Sequence, residues 1–166
     1  MGGLSPELAV RDGLARFEGD YEVAVLDTAP GADVFQIGAL VACTHYIIPV
    51  ALDHLAVVGA VDVLGSAVAL NEARVTGGGE VLGVLPTMWD RVTNESHLQL
   101  ERVSEMFGEG VLPPIPVDVK AREAPAHGRT LWEYGLSRAL DGVVVGPGPL
   151  VGGYRAVLRR VIEVVG

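Results

Sequence analysis

Cysteine, aromatic residues and basic residues are all scarce in this sequence of 166 residues, and each scarcity narrows what the protein can be. The single cysteine, Cys43, excludes a disulfide framework within the chain and favours a reducing compartment. Aromatic residues make up 5% of the chain, so its core must be aliphatic. Lysine and arginine total 12 against 21 acidic residues, which gives a formal net charge of −9. Because non-specific DNA binding depends on neutralising phosphates, this charge disfavours DNA affinity of the lone chain.

The sequence also lacks the usual signs of export and of membrane insertion. Residues 1–6 contain no basic stretch followed by an apolar one, so no signal peptide is expected. The most apolar region, residues 41–70, is interrupted by histidine, proline and aspartate and is not expected to cross a bilayer. These features predict a cytoplasmic protein with no membrane partner.

Hydrophobic residues make up 49% of the chain and charged residues 20%, which is enough apolar material for a packed core. Strands are predicted at residues 21–26, 45–50, 80–86 and, limited by three prolines, 111–116. Helices are predicted at residues 5–17, 33–42, 52–74, 94–107, 119–124 and 151–165. This alternation predicts an α/β fold, a parallel sheet of about four strands with covering helices. In such sheets ligands bind beyond the carboxyl ends of the strands, here at residues 27–28, 87–88 and 116–118.

Five segments, in order, resemble the ParA/MinD (Soj-like) family of partition ATPases. They are YEVAVLDTAPG at 21–31, IGALVA at 37–42, HYIIPV at 45–50, GVLPTMWDRVT at 83–93 and PVDVKAREAPAHG at 116–128. Their order and spacing agree with the family over roughly residues 4–138. The resemblance implies that residues 1–166 form a single ParA-like domain, the carboxy-terminal part of a P-loop NTPase fold. Residues 139–153 form an extra loop relative to the family pattern.

The resemblance also implies a nucleotide site with Mg²⁺. The implied positions are Asp27, Thr28, Pro30, Gly31, Thr87, Met88, Pro116 and Asp118. Asp27 would hold Mg²⁺ through a water molecule, the residues after it would sense the γ-phosphate of ATP, and the last four would line the adenine pocket. The alternative for these four is ordinary loop packing, and for Asp27 a residue that caps a loop.

Family members bind DNA through basic residues near the carboxy terminus. The matching or neighbouring positions in this sequence are Lys120, Arg138, Arg155 and Arg159. The alternative interpretation is a solvated helix face, which the net charge of −9 favours.

One motif of the family is missing from these residues. This motif, G-x-x-x-x-G-K-[ST], forms the P-loop, whose backbone amides and lysines surround the phosphates of bound ATP. No such sequence is present in these residues. We therefore expect weak or no binding of ATP and Mg²⁺ by the lone chain, and no autonomous hydrolysis. Without the amino-terminal P-loop part, we expect one edge of the sheet to be left open. Because open edges promote association, we predict a homodimer or a ParA- or ParB-like protein partner.

Four functions remain open from the sequence. The first is a truncated chromosome or plasmid partition homologue that acts as a binding or regulatory subunit. The second is an active partition ATPase completed by a separately supplied P-loop chain. The third is the remnant of a truncated gene, and the fourth is an unrelated α/β hydrolase or transferase of similar appearance.

Overall fold

The computed structural model describes residues 8–29, 34–53, 59–61, 64–65, 68–69, 79–135, 137–144 and 150–165. Within these residues the strands are β1 (His45–Ala51), β2 (Glu80–Thr87), β3 (Val143–Val144) and β4 (Leu150–Val151). The helices with described bounds are α1 (Ala9–Leu14), α2 (Val34–Ala42), α3 (Asn94–Phe107), α4 (Lys120–Ala126), α5 (Leu131–Tyr134), α6 (Arg138–Asp141) and α7 (Tyr154–Val165).

Two compact units divide the chain. The first comprises Met1–Tyr46 and Val63–Val81, and the second comprises Ile47–Asp62 and Leu82–Gly166. In the first unit, α1 packs against α2, and the Tyr46 hydroxyl donates a hydrogen bond to the Leu40 carbonyl at 2.7 Å. The assignment of residues 1–166 to one ParA-like domain stays a prediction.

The central sheet is parallel, as predicted. Strands β1 and β2 are neighbours, and the amide that follows β1 donates to the Thr87 carbonyl at the end of β2 over 3.1 Å. Residues 111–117 run beside the other edge of β2, where the Leu112 amide donates to the Val84 carbonyl at 2.8 Å and the Ile115 amide to the Pro86 carbonyl at 2.8 Å. Prolines lack the amide hydrogen that a regular ladder needs, so this segment pairs only in places. The α/β fold class is confirmed.

The predicted strand at residues 21–26 is wrong. Tyr21 makes an isolated bridge with Glu18, and residues 23–29 have no regular secondary structure. A strand in a parallel sheet needs a hydrogen-bonded neighbour and covering layers on both faces, and residues 21–25 are exposed instead. Within the described residues, the parallel sheet thus contains two strands and the bridged segment 111–117, fewer than the four predicted.

An aliphatic cluster forms the core of the second unit. Its buried members come from β2, the 111–117 segment, α6 and α7, namely Leu85, Leu112, Ile115, Ala139 and Val157. The partly buried side chains that pack against it are Ile47, Leu131 and Val161. This cluster joins the carboxyl-end loops of the sheet to α6 and α7, and so it supports the candidate site described below.

Two further segments depart from the sequence prediction. The helix predicted from Leu52 to Arg74 does not begin at Leu52 or Asp53, although residues 59–61, 64–65 and 68–69 are helical; its other positions lie outside the described residues. The segment predicted as an extra loop, 139–153, contains most of α6 and an antiparallel pair in which Val143 lies opposite Val151. None of the helices in the described part of the chain has the length and apolarity needed to cross a bilayer.

Candidate functional site

Asp27 and Thr28 lie in the first unit, within the irregular segment that follows Tyr21. Both residues are exposed, and the next two predicted positions, Pro30 and Gly31, lie outside the described residues. Among the described residues, no group of three or more histidine, cysteine or acidic side chains could hold a metal ion. Asp27 therefore belongs to no such group within the described residues, and its water-mediated contact to Mg²⁺ stays a prediction.

The other predicted nucleotide positions lie in the second unit, where β2 ends. The backbone carbonyl of Thr87 faces β1. In a regular strand the backbone amide and carbonyl of Trp89, two residues later, would also face β1. Instead the Trp89 amide donates to Ile115 at 3.0 Å, and its carbonyl accepts from Val117 at 2.9 Å. Met88 lies between them with a φ of 56°, in the left-handed region, and acts like a β-bulge that turns the chain. The Met88 side chain is 55% exposed, whereas Trp89 is 4% exposed.

The carboxylate of Asp118 accepts hydrogen bonds from residues near the start of α4 and near the start of α6. Its Oδ2 accepts the Ser137 hydroxyl at 2.8 Å, the Ala139 amide at 3.3 Å and the Arg138 amide. Its Oδ1 accepts the Lys120 amide at 3.1 Å. Partial burial opposes ionisation, but these hydrogen bonds outweigh it and hold the pKa of Asp118 below its ordinary value. The carboxylate therefore closes the amino-terminal end of α6, an arrangement that favours the loop-packing interpretation of this position.

Asp141 and Arg155 extend this network from α6 to α7. The Ser137 amide donates to Asp141 Oδ2 at 3.3 Å, and Arg155 Nε donates to Asp141 Oδ1 at 2.7 Å. The hydrogen bond from Arg155 lowers the pKa of Asp141, and partial desolvation opposes it. The guanidinium also lies 5.0 Å from the centroid of the Trp132 ring, a cation–π distance. Arg155, predicted as a DNA-binding residue, thus has two partners within its own unit.

A small pocket lies beside this network. Its lining includes Trp89, Arg91, Pro116, Val117 and Arg138. The volume is about 120 Å³, well below the roughly 300–1,000 Å³ of typical small-molecule sites. The structure therefore brings Pro116 and Arg138, two of the predicted site residues, to one pocket that could accept no more than part of a nucleotide.

The remaining predicted basic positions are spread over the second unit. Arg138 and Arg159 are exposed, and Lys120 begins α4. Sequence reasoning missed Ser137 and Trp89 as parts of the site. Ser137 lies immediately before α6 and accepts the Leu140 amide at 3.4 Å, so the rule that serine favours helix N-caps could have identified it.

No protein-family model matches the sequence. The sporulation initiation inhibitor protein Soj of Bacillus subtilis is 30% identical over 79% of this chain and 52% of its own length. The chromosome partitioning protein ParA of Myxococcus xanthus is 26% identical over 78% of this chain and 46% of its own length. The chain thus spans about half the length of the curated relatives it matches.

Solved structures of other proteins share the fold of this chain. One is cobyrinic acid a,c-diamide synthase from Mycobacterium smegmatis with bound ADP and magnesium. The match covers 70% of this chain and 46% of the synthase chain, with a TM-score of 0.61 and 30% identity. Apo McdA from Cyanothece matches 77% of this chain and 52% of its own with a TM-score of 0.70 at 18% identity, which shows the shared fold. These matches confirm the resemblance to the ParA/MinD-like family that the five motifs predict. The resemblance covers about four-fifths of this chain and about half the length of the relatives.

Proposed function

We propose that this chain is a ParA-like partition protein of the cytoplasm that acts as a binding or regulatory subunit and does not hydrolyse ATP by itself. The relatives named as Soj and ParA support the partition assignment. The proposed lack of autonomous ATP hydrolysis rests on the surroundings of Asp27, the predicted Mg²⁺ residue. Asp27 is exposed in an irregular segment, and the sequence contains neither a G-x-x-x-x-G-K-[ST] motif nor any lysine except Lys120.

The lack of hydrolysis has a physical reason, because negative charge on the transferring phosphate must be stabilised during phosphoryl transfer. Catalysis of this reaction depends on positioned cations and amides that stabilise the transferring phosphate. Mg²⁺ is usually held by one or two carboxylates together with the substrate phosphates, so Asp27 without a phosphate cradle would retain little Mg²⁺. The relative crystallised with ADP and magnesium indicates what a complete site binds. In this chain, Asp27 and Thr28 would contribute the Mg²⁺ and γ-phosphate contacts.

The activity that we propose for this chain is binding to another protein. We propose a homodimer or a ParA- or ParB-like partner as the binding target. DNA is a weaker candidate, because Arg155 is engaged by Asp141 and Trp132 and the chain carries a net charge of −9. Lys120, Arg138 and Arg159 are the basic positions that such DNA binding would use.

A second function is favoured by one observation. Residues 21–26 have the sequence of a central strand, but residues 21–25 lie exposed, so an incoming segment could pair with them and complete the site. In that case the chain would be part of an active partition ATPase whose P-loop comes from a separate polypeptide.

The test of the proposed function is ATP turnover by the purified 166-residue chain with Mg²⁺, beside the variant Asp27→Ala. We expect the two proteins to release phosphate at the same background rate. Calorimetric titration with ATP and Mg²⁺ should detect no binding tighter than about 1 mM, which corresponds to roughly −4 kcal/mol. Turnover that depends on Asp27 would overturn the proposal, since contaminating ATPases would be unaffected by that substitution.

A further inference from the structure

Two arginines without a carboxylate partner belong to the small pocket of the second unit. Arg91, in the turn before α3, and Arg138, the first residue of α6, both contribute to its lining. Neither guanidinium forms an ion pair with any residue that the structure describes. The pocket therefore combines two cations whose charge is not compensated by a contact within the described chain.

Hydrogen bonds fix the backbone on both sides of this pocket. In the turn before α3, Asp90 Oδ1 accepts the Val92 amide at 3.0 Å, and the Asp90 amide donates to the Ser96 hydroxyl at 2.9 Å. On the other side, the Arg138 amide donates to the Asp118 carboxylate. Side chains that start from a fixed backbone lose less conformational freedom when they bind a ligand. Both arginines are therefore held ready at the pocket before any ligand arrives.

Trp89 adds a hydrogen-bond donor to the same lining. The residue is 4% exposed, and its Nε1 has no hydrogen-bond partner among the residues that the structure describes. A buried donor without an acceptor is costly, and a ligand oxygen within reach would remove that cost. Trp89 is thus a second indication, independent of the two arginines, that the pocket accepts a group with oxygen acceptors.

The size and the charge of the pocket select a carboxylate. A volume of about 120 Å³ leaves room for a small group and not for a nucleoside. Two guanidinium groups against the one lining carboxylate, that of Asp90, leave a single positive charge in excess, while Asp118 lies outside the lining. This excess matches a monoanion, whereas the second charge of a phosphate would meet Asp90 without compensation. A planar carboxylate also matches the geometry of the arginine fork.

We propose that this pocket binds the carboxylate of a glutamate side chain from a partner protein. Arg91 and Arg138 would hold the carboxylate, and Trp89 Nε1 would donate to one of its oxygens. The methylene groups of the glutamate would contact the apolar part of the lining, which is formed by Pro116, Val117 and Val143. The proposal rests on the proposed protein-binding function and deepens it, because it names the chemistry by which the partner is recognised.

The test is an NMR titration of the ¹⁵N-labelled 166-residue chain at low salt. The probe is a capped pentapeptide with one glutamate between two pairs of alanines, and the matched control peptide has glutamine in place of the glutamate. We expect the indole signal of Trp89 to shift with a Kd of about 1–10 mM, as suits a single charged anchor. The glutamine peptide should bind at least about tenfold more weakly. The indole signal of Trp132, outside the pocket lining, is the internal reference and should not shift.

Arginine variants separate the pocket from the overall charge of the chain. Arg91→Gln and Arg138→Gln should each weaken binding of the glutamate peptide by about tenfold, because each removes a charge-assisted hydrogen bond. Arg102→Gln removes the same charge from α3 outside the pocket lining and should leave the affinity within about twofold. All three arginines are exposed, so folding should be retained.

Four results would overturn the carboxylate proposal. They are no shift of the Trp89 signal, equal binding of the two peptides, equal loss of affinity in Arg102→Gln and Arg138→Gln, and binding of sodium acetate as tight as that of the glutamate peptide, which would assign the pocket to a free small anion. Tighter binding of duplex DNA at the same signals would also overturn it, in favour of phosphate contacts. Because the titration contains no nucleotide, its failure leaves the proposed lack of ATP hydrolysis untouched. Conversely, ATP turnover by the lone chain would overturn that part of the proposed function without changing the titration.

Discussion

The Ser137 hydroxyl donates to Oδ2 of Asp118 at 2.8 Å, across 19 positions of sequence. The same oxygen accepts backbone amides at the start of α6, while Oδ1 accepts the Lys120 amide at the start of α4. One carboxylate therefore ties the beginnings of two helices together. Asp118 is best understood as a residue that positions Arg138 beside the small pocket, and its direct contact with a nucleotide stays a prediction.

The first prediction concerns the stability that this carboxylate provides. Asp118→Ala should lower the free energy of unfolding by about 1–2 kcal/mol, because several amides at helix starts lose their acceptor. Urea denaturation followed by circular dichroism measures this change. Asp20→Ala, at an exposed aspartate of the first unit, is the matched control and should change stability by less than about 0.5 kcal/mol. Equal effects of the two substitutions would contradict the assigned role.

The second prediction concerns pH. Because the folded-state pKa of Asp118 is lowered, its charge adds stability that is complete above the unfolded pKa of about 3.9 and is lost as the pH falls through the folded pKa. Asp118→Asn removes this charge with little change of shape. The difference in unfolding free energy between the native chain and the variant should be largest at pH 7 and should shrink below pH of about 4. A difference that stays constant down to pH of about 3 would show that the charge is unimportant.

Elements with strong local patterns could be predicted from the sequence. The bounds of α3, Asn94–Phe107, agree with the prediction, and β1 and β2 agree within one residue. Helical periodicity and flanking turn residues determine such elements locally. The Thr130–Glu133 capping box also follows a recognisable sequence pattern.

Features that depend on distant partners could not be predicted. Residues 21–26 have a strand composition, but a strand forms only where neighbours supply hydrogen bonds, and sequence alone does not reveal whether they do. The bond between Asp118 and Ser137 joins segments that the sequence gives no reason to pair. The positive φ of Met88 is equally hidden, because methionine rarely adopts this conformation.

The third prediction tests whether Arg155 is a structural residue. A double-mutant cycle with Arg155→Ala and Asp141→Ala should give a coupling energy of about 0.5–1 kcal/mol, as expected for a well-formed but partly exposed ion pair. Arg159→Ala is the control on the same helix and should change stability by less than about 0.5 kcal/mol. Zero coupling would contradict the structural role. DNA affinity reduced equally by the Arg155 and Arg159 substitutions would instead support the DNA-binding prediction.

The fourth prediction concerns the close approach of Gly152 to the 111–117 segment. A Cβ atom at this glycine would lie 2.0 Å from the Pro114 carbonyl oxygen, and its φ of 76° is strained for any other residue. Gly152→Ala should therefore cost at least about 3 kcal/mol of unfolding free energy. Gly108 has a φ of 53° with open space around it, so Gly108→Ala should cost less, about 1–3 kcal/mol for the backbone conformation alone. Equal costs in denaturation would show that the backbone clash is relieved by movement.

The last prediction concerns strain where β2 ends. Met88 holds a left-handed conformation that costs a non-glycine residue about 1–2 kcal/mol, and its side chain is 55% exposed, so little packing depends on it. Met88→Asn should raise the unfolding free energy by about 0.5–1 kcal/mol, since asparagine tolerates this conformation, whereas Met88→Val should lower it by about 1 kcal/mol. Thermal and urea denaturation of the two variants measure the opposite shifts. If valine proved as stable as asparagine, the bulge that turns Trp89 toward the 111–117 segment would not require a positive φ.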